Sequence, residues 1–510
     1  MARSPASGGG AVDAGGGAIH TRVLILFAIT FCMALGIYLL TMAPSLTWSH
    51  HGADGGDFVT SAVTGRLAHP PGFPVYGLLA RLAVRLSLRD FVAQDPAWRL
   101  NLLSALMAAG AIGLTAATAL RRGQTLWAAA AAALTLAVSP LFWSQALITE
   151  VYSTSAFFVA AALWWAAYTE SRGGLWVAFV GGLLWGLGCA VHWTLLFLAP
   201  LEIVWLFWER GGRPAPEFSR SQLPLREGAL FFAGWLAGLA PYALLPLSGP
   251  WPQPWGDMRT LAGWWDVVSA RLYWGYAFGL PLADWPRRVL SWASLLARQF
   301  TPAGALLALW GIRSGWRGRR VETLGALATL ALGSVYAIAY NTPDSLVYLV
   351  LWMPLLALWL GDGLEAALAW LRRWGRRGVN ANTPGVGAWS TPRNWAGLLL
   401  PLALACWNWR ALDVSHDVAV ARWLSQMLAQ TPERAVLVAQ GDAQTFALWY
   451  AQSALELRPD VLVVNGALWQ QTPYREFILA QAGLPAARPE DLAQERPLCT
   501  LLQDEEVVCR

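Results

Sequence analysis

Two acids and three histidines fall within one polar stretch near the N-terminal end of the chain. His50, His51, Asp54 and Asp57 come first, and His69 follows in the run His-Pro-Pro-Gly-Phe-Pro. A carboxylate just outside a bilayer can act as a general base on an acceptor hydroxyl, and the two glycines between the acids let the backbone approach a bulky ligand. The same stretch is compatible with a polar turn that caps a helix beginning near Asp57, so both interpretations stay open here.

Metal binding is the less favoured interpretation of this stretch. Adjacent histidines point in different directions, and the spacing matches no recurring set of metal ligands. We therefore expect no metal and no other cofactor, although a divalent ion is compatible with the residue types. Among the cysteines, Cys32, Cys189 and Cys406 each lie alone in an apolar run, whereas Cys499 and Cys509 either pair in an oxidising exterior or remain free thiols.

A stripe of arginines follows the histidine run. Arg81, Arg85 and Arg89 lie at i, i+4 and i+8 among Leu, Ala and Val, which predicts one face of an amphipathic helix over 72–88. Such a stripe could bind the phosphate of a lipid-linked substrate, or it could simply contact lipid headgroups.

Three further polar features lie at predicted outer ends of apolar segments. The run Glu150-Val151-Tyr152-Ser153 opens one segment, and His192 separates two others, although a lone histidine in such a place more often has a structural role. The segment 248–288 contains Asp257, Arg259 and many aromatic residues, which could pack against sugar rings or form an interfacial belt. These aromatic residues are Trp251, Trp255, Trp264, Trp265, Tyr273, Trp274 and Tyr276.

The composition indicates the environment that these residues share. Of the 510 residues, 56% are hydrophobic and 13% are charged, and the mean hydropathy is +0.42, whereas an ordinary soluble domain has about 25% charged residues. A soluble globular protein is therefore excluded. All 36 basic residues are arginines, they exceed the acids by only 5, and they are spread along the chain, which argues against a nucleic-acid binder.

Repeated apolar runs predict a polytopic α-helical membrane protein. A hydrocarbon core about 30 Å thick needs roughly 20 apolar residues of helix, and the sequence supplies about eleven such runs. They are 23–44, 101–120, 126–146, 150–168, 174–191, 193–208, 228–247, 290–312, 322–340, 345–361 and 394–410.

The arginines predict the orientation of these spans, because short arginine-rich loops stay on the cytoplasmic side. We expect a disordered cytoplasmic N-terminus over 1–21, a transmembrane domain over 22–410, and external loops over about 45–100 and 248–288. The protein is then a multi-pass protein of the cell (inner or plasma) membrane. The arginines that occupy alternate loops are Arg121 and Arg122; Arg210, Arg213, Arg220 and Arg226; Arg313, Arg317, Arg319 and Arg320; and Arg372, Arg373, Arg376 and Arg377.

The chain after Arg410 has a soluble-looking pattern. Residues 435–438 and 461–464 are predicted to be buried strands, and 446–457 a helix between them. We therefore expect 411–510 to form a small external α/β domain with a parallel sheet.

The motifs taken together resemble a known family, the protein O-mannosyltransferase-like membrane proteins of the GT-C glycosyltransferase superfamily. The resemblance lies in the Asp54-Gly-Gly-Asp57-Phe box and the His69-Pro70-Pro71-Gly-Phe-Pro run. Further family-like motifs follow in order: Glu150-Val151-Tyr152-Ser153, His192-Trp193-Thr194, Trp255-Gly256-Asp257, Gly441-Asp442 and Arg458-Pro459-Asp460.

The resemblance implies a GT-C-like enzyme whose first external loop holds the catalytic acid. It transfers mannose or another hexose from a polyprenyl-phosphate donor in the bilayer to a hydroxyl of a protein or glycan acceptor, with inversion. Asp54 is the preferred general base and Asp57 the second candidate, because two glycines separate acids that are adjacent in classical relatives. The expected substrate-binding residues are His69, Pro70, Pro71, Tyr76, Arg81, Arg85, Glu150, Tyr152, His192, Trp255 and Asp257.

Two functions from other classes remain as alternatives, a lipid-glycan flippase or transporter and a non-catalytic envelope assembly protein. The predicted spans carry few ionisable residues, with Glu202 and Arg298 as the main exceptions. An ion-coupled transporter needs such groups near the membrane midplane, and here the polar groups concentrate outside. The clustering of both acids and His69 in one loop therefore favours the enzyme.

Overall fold

The computed structural model describes residues 12–86, 95–170, 174–207, 223–376, 394–484, 492, 496–502 and 506–509. The N-terminal segment that we expected to be disordered is helical from Val12 onward, and residues 1–11 lie outside the described part of the chain. Arg89, from the predicted arginine stripe, also lies outside it.

The described chain is mostly helical, and its first half contains the polar first loop, 45–100. A short 3-10 segment, 49–54, leads directly into α2. Proline in the first turn starts α3, α4 and α6, where a missing backbone N–H costs nothing. The helices of this half are α1 (Val12–Thr41), α2 (Gly55–Thr64), α3 (Pro74–Arg85), α4 (Pro96–Arg121), α5 (Leu126–Ala137), α6 (Pro140–Ala146), α7 (Tyr152–Thr169), α8 (Leu175–Val191) and α9 (Ala199–Phe207).

The second half adds further helices and a terminal sheet. The helices are α10 (Leu223–Leu239), α11 (Leu261–Val268), α12 (Trp285–Gln299), α13 (Thr301–Gly318), α14 (Arg320–Ala339), α15 (Met353–Arg376), α16 (Leu399–Leu412), α17 (Ala419–Gln430), α18 (Asp442–Ala454) and α19 (Thr472–Gln481). The strands are β1 (Val436–Ala439), β2 (Leu462–Asn465), β3 (Leu498–Leu501) and β4 (Val507–Cys509).

Each predicted span overlaps one helix or two consecutive helical segments, and the count of eleven crossings stays a prediction. Five of the described helical segments are long and apolar enough to cross a membrane, or six if α5 and α6, which meet at a bend of 65°, form one span. The predicted span 290–312 covers two helices, because α12 ends at Gln299 and α13 begins at Thr301. The protein is therefore a multi-pass membrane protein.

Small residues bring the membrane helices into close contact. A Cβ atom on Gly182 of α8 would lie 1.9 Å from the backbone oxygen of Phe231 on α10, and one on Gly238 would lie 2.5 Å from the backbone nitrogen of Leu187. Membrane helices associate mainly by packing, so glycines that let two backbones approach are typical of their interfaces.

The C-terminal sheet has the order β2-β1-β3-β4. Val436 pairs with Leu462 in parallel, and β3 also lies parallel to β1. The predicted strand–helix–strand unit is thus present as β1, α18 and β2. The sheet is mixed rather than parallel, because β4 follows β3 after a short connection and pairs with it antiparallel. A disulfide joins Cys499 to Cys509 across these two strands.

Candidate active site

A cavity of about 1010 Å³ lies between the first loop, the segment after α10 and the start of the terminal sheet domain. The residues of the first loop that form its wall come from 53–73, and α14 and the segment 341–348 form the opposite wall. Seven of the predicted site residues line it: Asp54, His69, Pro70, Pro71, Glu150, Tyr152 and His192.

The two acids of the first loop have different surroundings. The Asp54 side chain, 40% exposed, faces the cavity. Asp57 is in the first turn of α2 and its side chain is only 3% exposed. Its Oδ2 atom accepts a hydrogen bond from the backbone N–H of His69 at 2.7 Å and contacts His69 Nδ1 at 2.9 Å. Asp54 is therefore the acid that a substrate in the cavity can reach.

His69 lies between the two carboxyl groups. Its Nε2 atom is 3.7 Å from Oδ2 of Asp54, while Nδ1 is bound to Asp57. The imidazole packs among the rings of Phe58, Phe73 and other aromatic residues. This arrangement fixes the ring orientation and aims Nε2 at the side of Asp54 that borders the cavity.

Enclosure changes the proton affinity of these groups. Burial within the cavity walls raises the pKa of Asp54 to about 6, although the nearby charge of His69 opposes the rise. Burial alone would lower the pKa of His69, but the charge of Asp54 and the hydrogen bond to Asp57 outweigh it and raise that pKa. A carboxylate with a pKa near neutrality is suited to accept a proton at physiological pH.

His192 has a different role from His69. Burial lowers the pKa of His192 to about 4, so its ring is neutral at neutral pH. Nδ1 of His192 lies 2.7 Å from the Thr194 hydroxyl and accepts from the Thr194 backbone N–H at 3.3 Å, at the start of the 3-10 segment 193–198. The ring also packs on Tyr348, 5.5 Å away between centroids. It is therefore both a helix cap and part of the cavity wall.

Two cavity acids come from distant parts of the chain. Asp344 follows α14, and Asp442 begins α18 of the terminal domain. Burial raises the pKa of Asp442, although its Oδ1 accepts a hydrogen bond from Asn465 Nδ2 at 3.1 Å. Sequence reasoning noted Gly441-Asp442 as a motif but did not assign Asp442 to the site, and nothing local in the sequence marked Asp344.

Close packing of α18 on α2 brings the terminal domain to the cavity. A Cβ atom on Gly56 would lie 2.3 Å from the backbone oxygen of Phe446, so only glycine allows the two helices to approach this closely. The Phe446 ring stacks on His69, with the planes 9° apart and centroids separated by 6.4 Å. The second glycine of the acid box thus serves the docking of α18 rather than direct approach to a ligand.

Tyr76, Trp255 and Asp257, three of the predicted site residues, do not line the cavity. Tyr76 is 1% exposed and packs on Phe58 with ring centroids 5.0 Å apart. The Trp255 ring contacts His69 at 6.1 Å and supports it from behind. Asp257 forms an ion pair with Arg259 within the segment 248–288, with 2.7 Å between Oδ1 and Nε.

The predicted phosphate-binding arginines lie outside the cavity wall. Arg81 Nη2 donates to the backbone oxygens of Gly65 at 2.8 Å and Arg66 at 3.1 Å, so it holds the turn after α2. Arg85 is exposed at the end of α3. Among the described residues that line the cavity, the side chains that can donate hydrogen bonds are instead histidines, tyrosines, tryptophans, Asn341, Thr342, Thr194 and Ser269. The tyrosines are Tyr152, Tyr242, Tyr273, Tyr276, Tyr336, Tyr340 and Tyr348.

Two models of known protein families match parts of this chain, one in the first half and one in the terminal domain. Residues 54–213 match the protein O-mannosyl-transferase TMEM260 N-terminal domain, and residues 420–485 match TMEM260-associated domain 2. The first match begins at Asp54 and includes His69, Glu150 and His192, and the second includes Asp442.

Two curated relatives and one solved structure extend the comparison. Protein O-mannosyl-transferase TMEM260 of Mus musculus is 26% identical over 475 residues, which are 90% of this chain and 65% of the relative. Its counterpart in Dictyostelium discoideum is 23% identical over 88% of this chain and 58% of the relative. The chain thus spans about three fifths of the length of these relatives.

The fold is similar to that of ArnT from Cupriavidus metallidurans bound to undecaprenyl phosphate. That structure covers 94% of this chain and 93% of its own, with a TM-score of 0.57 and 14% identity, which is a likeness of fold. The matched domains, the relatives and the GT-C-like fold together confirm the resemblance of this chain to the TMEM260 protein O-mannosyl-transferase family.

Proposed function

We propose that this protein is a membrane glycosyltransferase of the protein O-mannosyl-transferase type. It transfers a hexose, with mannose preferred, from a polyprenyl-phosphate donor to an acceptor hydroxyl. The observation that carries the proposal is Asp54, a carboxyl group that faces a cavity of about 1010 Å³ and whose pKa is raised to about 6.

In the proposed reaction Asp54 acts as the general base. Its carboxylate accepts the proton of the acceptor hydroxyl while that oxygen attacks the anomeric carbon from the face opposite the phosphate. The bond between the anomeric carbon and the phosphate oxygen breaks, and the electron pair leaves with the polyprenyl phosphate. One displacement at this carbon inverts its configuration.

Asp57 and His69 position the base in this mechanism. Asp57 is buried and its Oδ2 atom is bound by the backbone and side chain of His69, so Asp57 holds the imidazole rather than accepting a proton from substrate. His69 in turn places a positive charge beside Asp54, which favours the carboxylate form. The tyrosine hydroxyls of the cavity are the groups that meet the phosphate, because Arg81 and Arg85 lie outside the wall.

The relatives support the choice of substrates. The names of the mouse and Dictyostelium relatives favour mannose as the sugar and a protein hydroxyl as the acceptor. The ArnT structure contains undecaprenyl phosphate, which is the kind of molecule that a polyprenyl-phosphate sugar leaves behind. Asp442 gives the terminal domain access to the same cavity, so this domain contributes to acceptor selection in the proposal.

The membrane topology is part of the proposal. Eleven crossings with a cytoplasmic N-terminus place Asp54, the segment 248–288 and the domain 411–510 outside the cell membrane. A disulfide between Cys499 and Cys509 supports an external terminal domain, because disulfides persist in oxidising compartments.

The test compares wild type with Asp54→Asn and Asp57→Asn in membranes that contain equal amounts of each protein. The assay supplies a labelled polyprenyl-phosphate mannose and measures both donor consumption and label in protein. We expect Asp54→Asn to reduce transfer by a factor of about 10² or more, as expected for removal of a general base. We expect a smaller loss for Asp57→Asn, since an asparagine oxygen can still accept from His69.

Asp266→Asn is a matched control, because Asp266 pairs with Arg271 on the outer segment and does not line the cavity. Wild type that consumes no donor, under conditions where another O-mannosyltransferase does, contradicts the enzyme assignment. If Asp54→Asn instead leaves the donor intact but changes its sidedness in vesicles, the flippase alternative is correct.

A further inference from the structure

A second large cavity lies among arginine and tryptophan side chains. Its volume is about 670 Å³, and it lies between the turn after α4, the C-terminal half of α13 and the C-terminal half of α15. The charged and aromatic residues that line it are Arg122, Arg313, Arg317, Arg373, Asp362, Glu365, Trp310 and Trp370.

This basic cavity is on the side of the protein opposite the candidate active site. α14 runs from Arg320 to Ala339. Tyr336 in its last turn and Tyr340 directly after it both line the active-site cavity. At the other end, the Arg319 side chain donates to the backbone oxygen of Arg122, which lines the basic cavity. A helix of 20 residues is about 30 Å long, so the two cavities lie at opposite ends of a helix that is long enough to cross a membrane.

The acids of the basic cavity are committed to hydrogen bonds within the fold. Asp362 Oδ1 accepts from the Gln124 side chain at 2.7 Å, and Glu365 Oε1 accepts from the backbone N–H of Thr125 at 2.6 Å. Arg122 forms an ion pair with Glu322. These contacts hold the turn after α4 against α15 and leave the remaining arginines without a carboxylate partner among them.

Arg313 and Arg317 are the free cations of this site. They lie one turn apart on the same face of α13, both are exposed, and neither has a hydrogen bond or ion pair with the residues that the structure describes. Arg373 faces them from α15 and makes one hydrogen bond to its own helix, to Ala369. Three guanidinium groups that have no carboxylate partner within the described part of the chain therefore line the same cavity, and with Arg122 its arginines outnumber its two acids, which is suited to a phosphate group.

The surroundings of the cavity are those of a membrane interface. Trp310 and Trp370 lie edge to face with centroids 6.5 Å apart, and both remain partly exposed. Leu306 and Leu309, on the preceding turn of α13, are 67% and 61% exposed. Tryptophan marks the headgroup level and exposed leucines mark the acyl-chain level, so a phosphate bound here would have an apolar surface directly beside it.

We propose that the basic cavity binds the phosphate headgroup of an anionic membrane lipid. Basic pockets between transmembrane helices are suited to such headgroups on the cytoplasmic side, and the arginine pattern of the sequence predicts that this face is cytoplasmic. The site is distinct from the donor site of the proposed transferase reaction, and its occupancy does not depend on that reaction.

The test is lipid binding by the purified full-length protein, measured by native mass spectrometry in a neutral detergent. Phosphatidylglycerol, phosphatidylcholine and inorganic phosphate are titrated separately. We expect wild type to retain one phosphatidylglycerol in preference to phosphatidylcholine. We expect Arg313→Gln/Arg317→Gln to weaken that binding about tenfold or more, since two charge-assisted contacts are lost. Arg313→Lys/Arg317→Lys keeps both charges and should bind better than the glutamine variant.

Arg226→Gln/Arg320→Gln is the matched control, because it removes two exposed arginines from the same predicted face but outside the cavity. Equal binding by wild type and Arg313→Gln/Arg317→Gln overturns the proposal. Equal loss in the control variant also overturns it, since the attraction is then general to the positive face. If inorganic phosphate binds as tightly as phosphatidylglycerol and displaces it, the ligand is a free phosphate and the assignment to lipid is wrong.

Discussion

The rate of sugar transfer should fall steeply below pH 6. Burial raises the pKa of Asp54 from the ordinary value of 3.8 to about 6, and only the carboxylate can accept a proton from the acceptor. At pH 7 about nine tenths of the enzyme then carries the active carboxylate, and at pH 5 about one tenth does. We therefore expect kcat/KM to decrease about tenfold between pH 7 and pH 5, whereas an ordinary aspartate would cause almost no decrease over that range.

The assay measures initial rates of mannose transfer to a fixed acceptor at a donor concentration below KM, in overlapping buffers from pH 5 to pH 8. Samples held at pH 5 and returned to pH 7 must recover their activity, which separates titration from unfolding. A rate that stays constant down to pH 5 would refute the reasoning, because Asp54 would then be either fully hydrated or not the base.

A substitution in the terminal domain should change the pKa of Asp54 and with it the pH dependence of sugar transfer. The charge of Asp442 raises the pKa of Asp54, so Asp442→Asn should shift the acidic limb of the pH profile to lower pH. The exposed Glu433 lies in the same domain and does not line the cavity, so Glu433→Gln should leave the limb unchanged. An unchanged limb in Asp442→Asn would show that the two carboxyl groups do not interact in the working enzyme.

The same burial of Asp54 also affects folding stability. Because its pKa is higher in the folded state, protonated Asp54 favours the fold, and that stabilisation is lost as the pH rises through about 6. A rise from 3.8 to about 6 corresponds to about 3 kcal/mol for a fully enclosed carboxyl group. With 40% of the side chain exposed to the cavity, we expect about half of that or less. Asp54→Asn should therefore unfold at a higher temperature than wild type at pH 7.5, while losing activity.

Two further predictions concern the terminal domain. Gly56→Ala should weaken its docking by roughly 1–3 kcal/mol, because the new Cβ would overlap the backbone of Phe446, and faster limited proteolysis of the domain would show this. Gly441→Ala is the control, since nothing lies within 4 Å of its Cβ position, and equal proteolysis of both variants would contradict the packing argument. Alkylation without reductant should leave Cys499 and Cys509 unmodified, as measured by mass spectrometry. Modification of both cysteines would show that they are free thiols and that the domain lies in a reducing compartment.

Local patterns in the sequence were sufficient for most of the long apolar helices and for the first two strands. The run 150–168 predicted α7 to within two residues, because a long apolar segment has few alternatives in a bilayer. The alternation of apolar strands and a helix after Arg410 predicted β1, α18 and β2 for the same local reason. The strands β3 and β4 were not predicted, and the expectation of a parallel sheet was wrong, because periodicity does not report which edge of the sheet the last strand reaches.

The choice between the two acids of the first loop required the fold. Their spacing placed both in one loop, but only the start of α2 at Gly55 turns Asp57 inward to His69 and leaves Asp54 facing the cavity. Asp344 and Asp442 were beyond local reasoning, since the packing of α14 and α18 brings them to residues several hundred positions away in sequence.

The arginine stripe shows why a pattern of residue types does not predict which group each side chain binds. Arg81 was expected to meet a phosphate, yet its guanidinium is satisfied by two backbone oxygens that the end of α2 exposes. In the proposed reaction, an anionic donor must then enter an acid-lined cavity that has no arginine among its described residues, so it needs another positive group. His69 offers one, because, against the effect of burial, the charge of Asp54 and the hydrogen bond to Asp57 raise its pKa and favour the cationic imidazole beside the acids. A cationic His69 would offset part of the negative charge of Asp54 and Asp57, so the contacts that orient the proposed base would also reduce its repulsion of a phosphate.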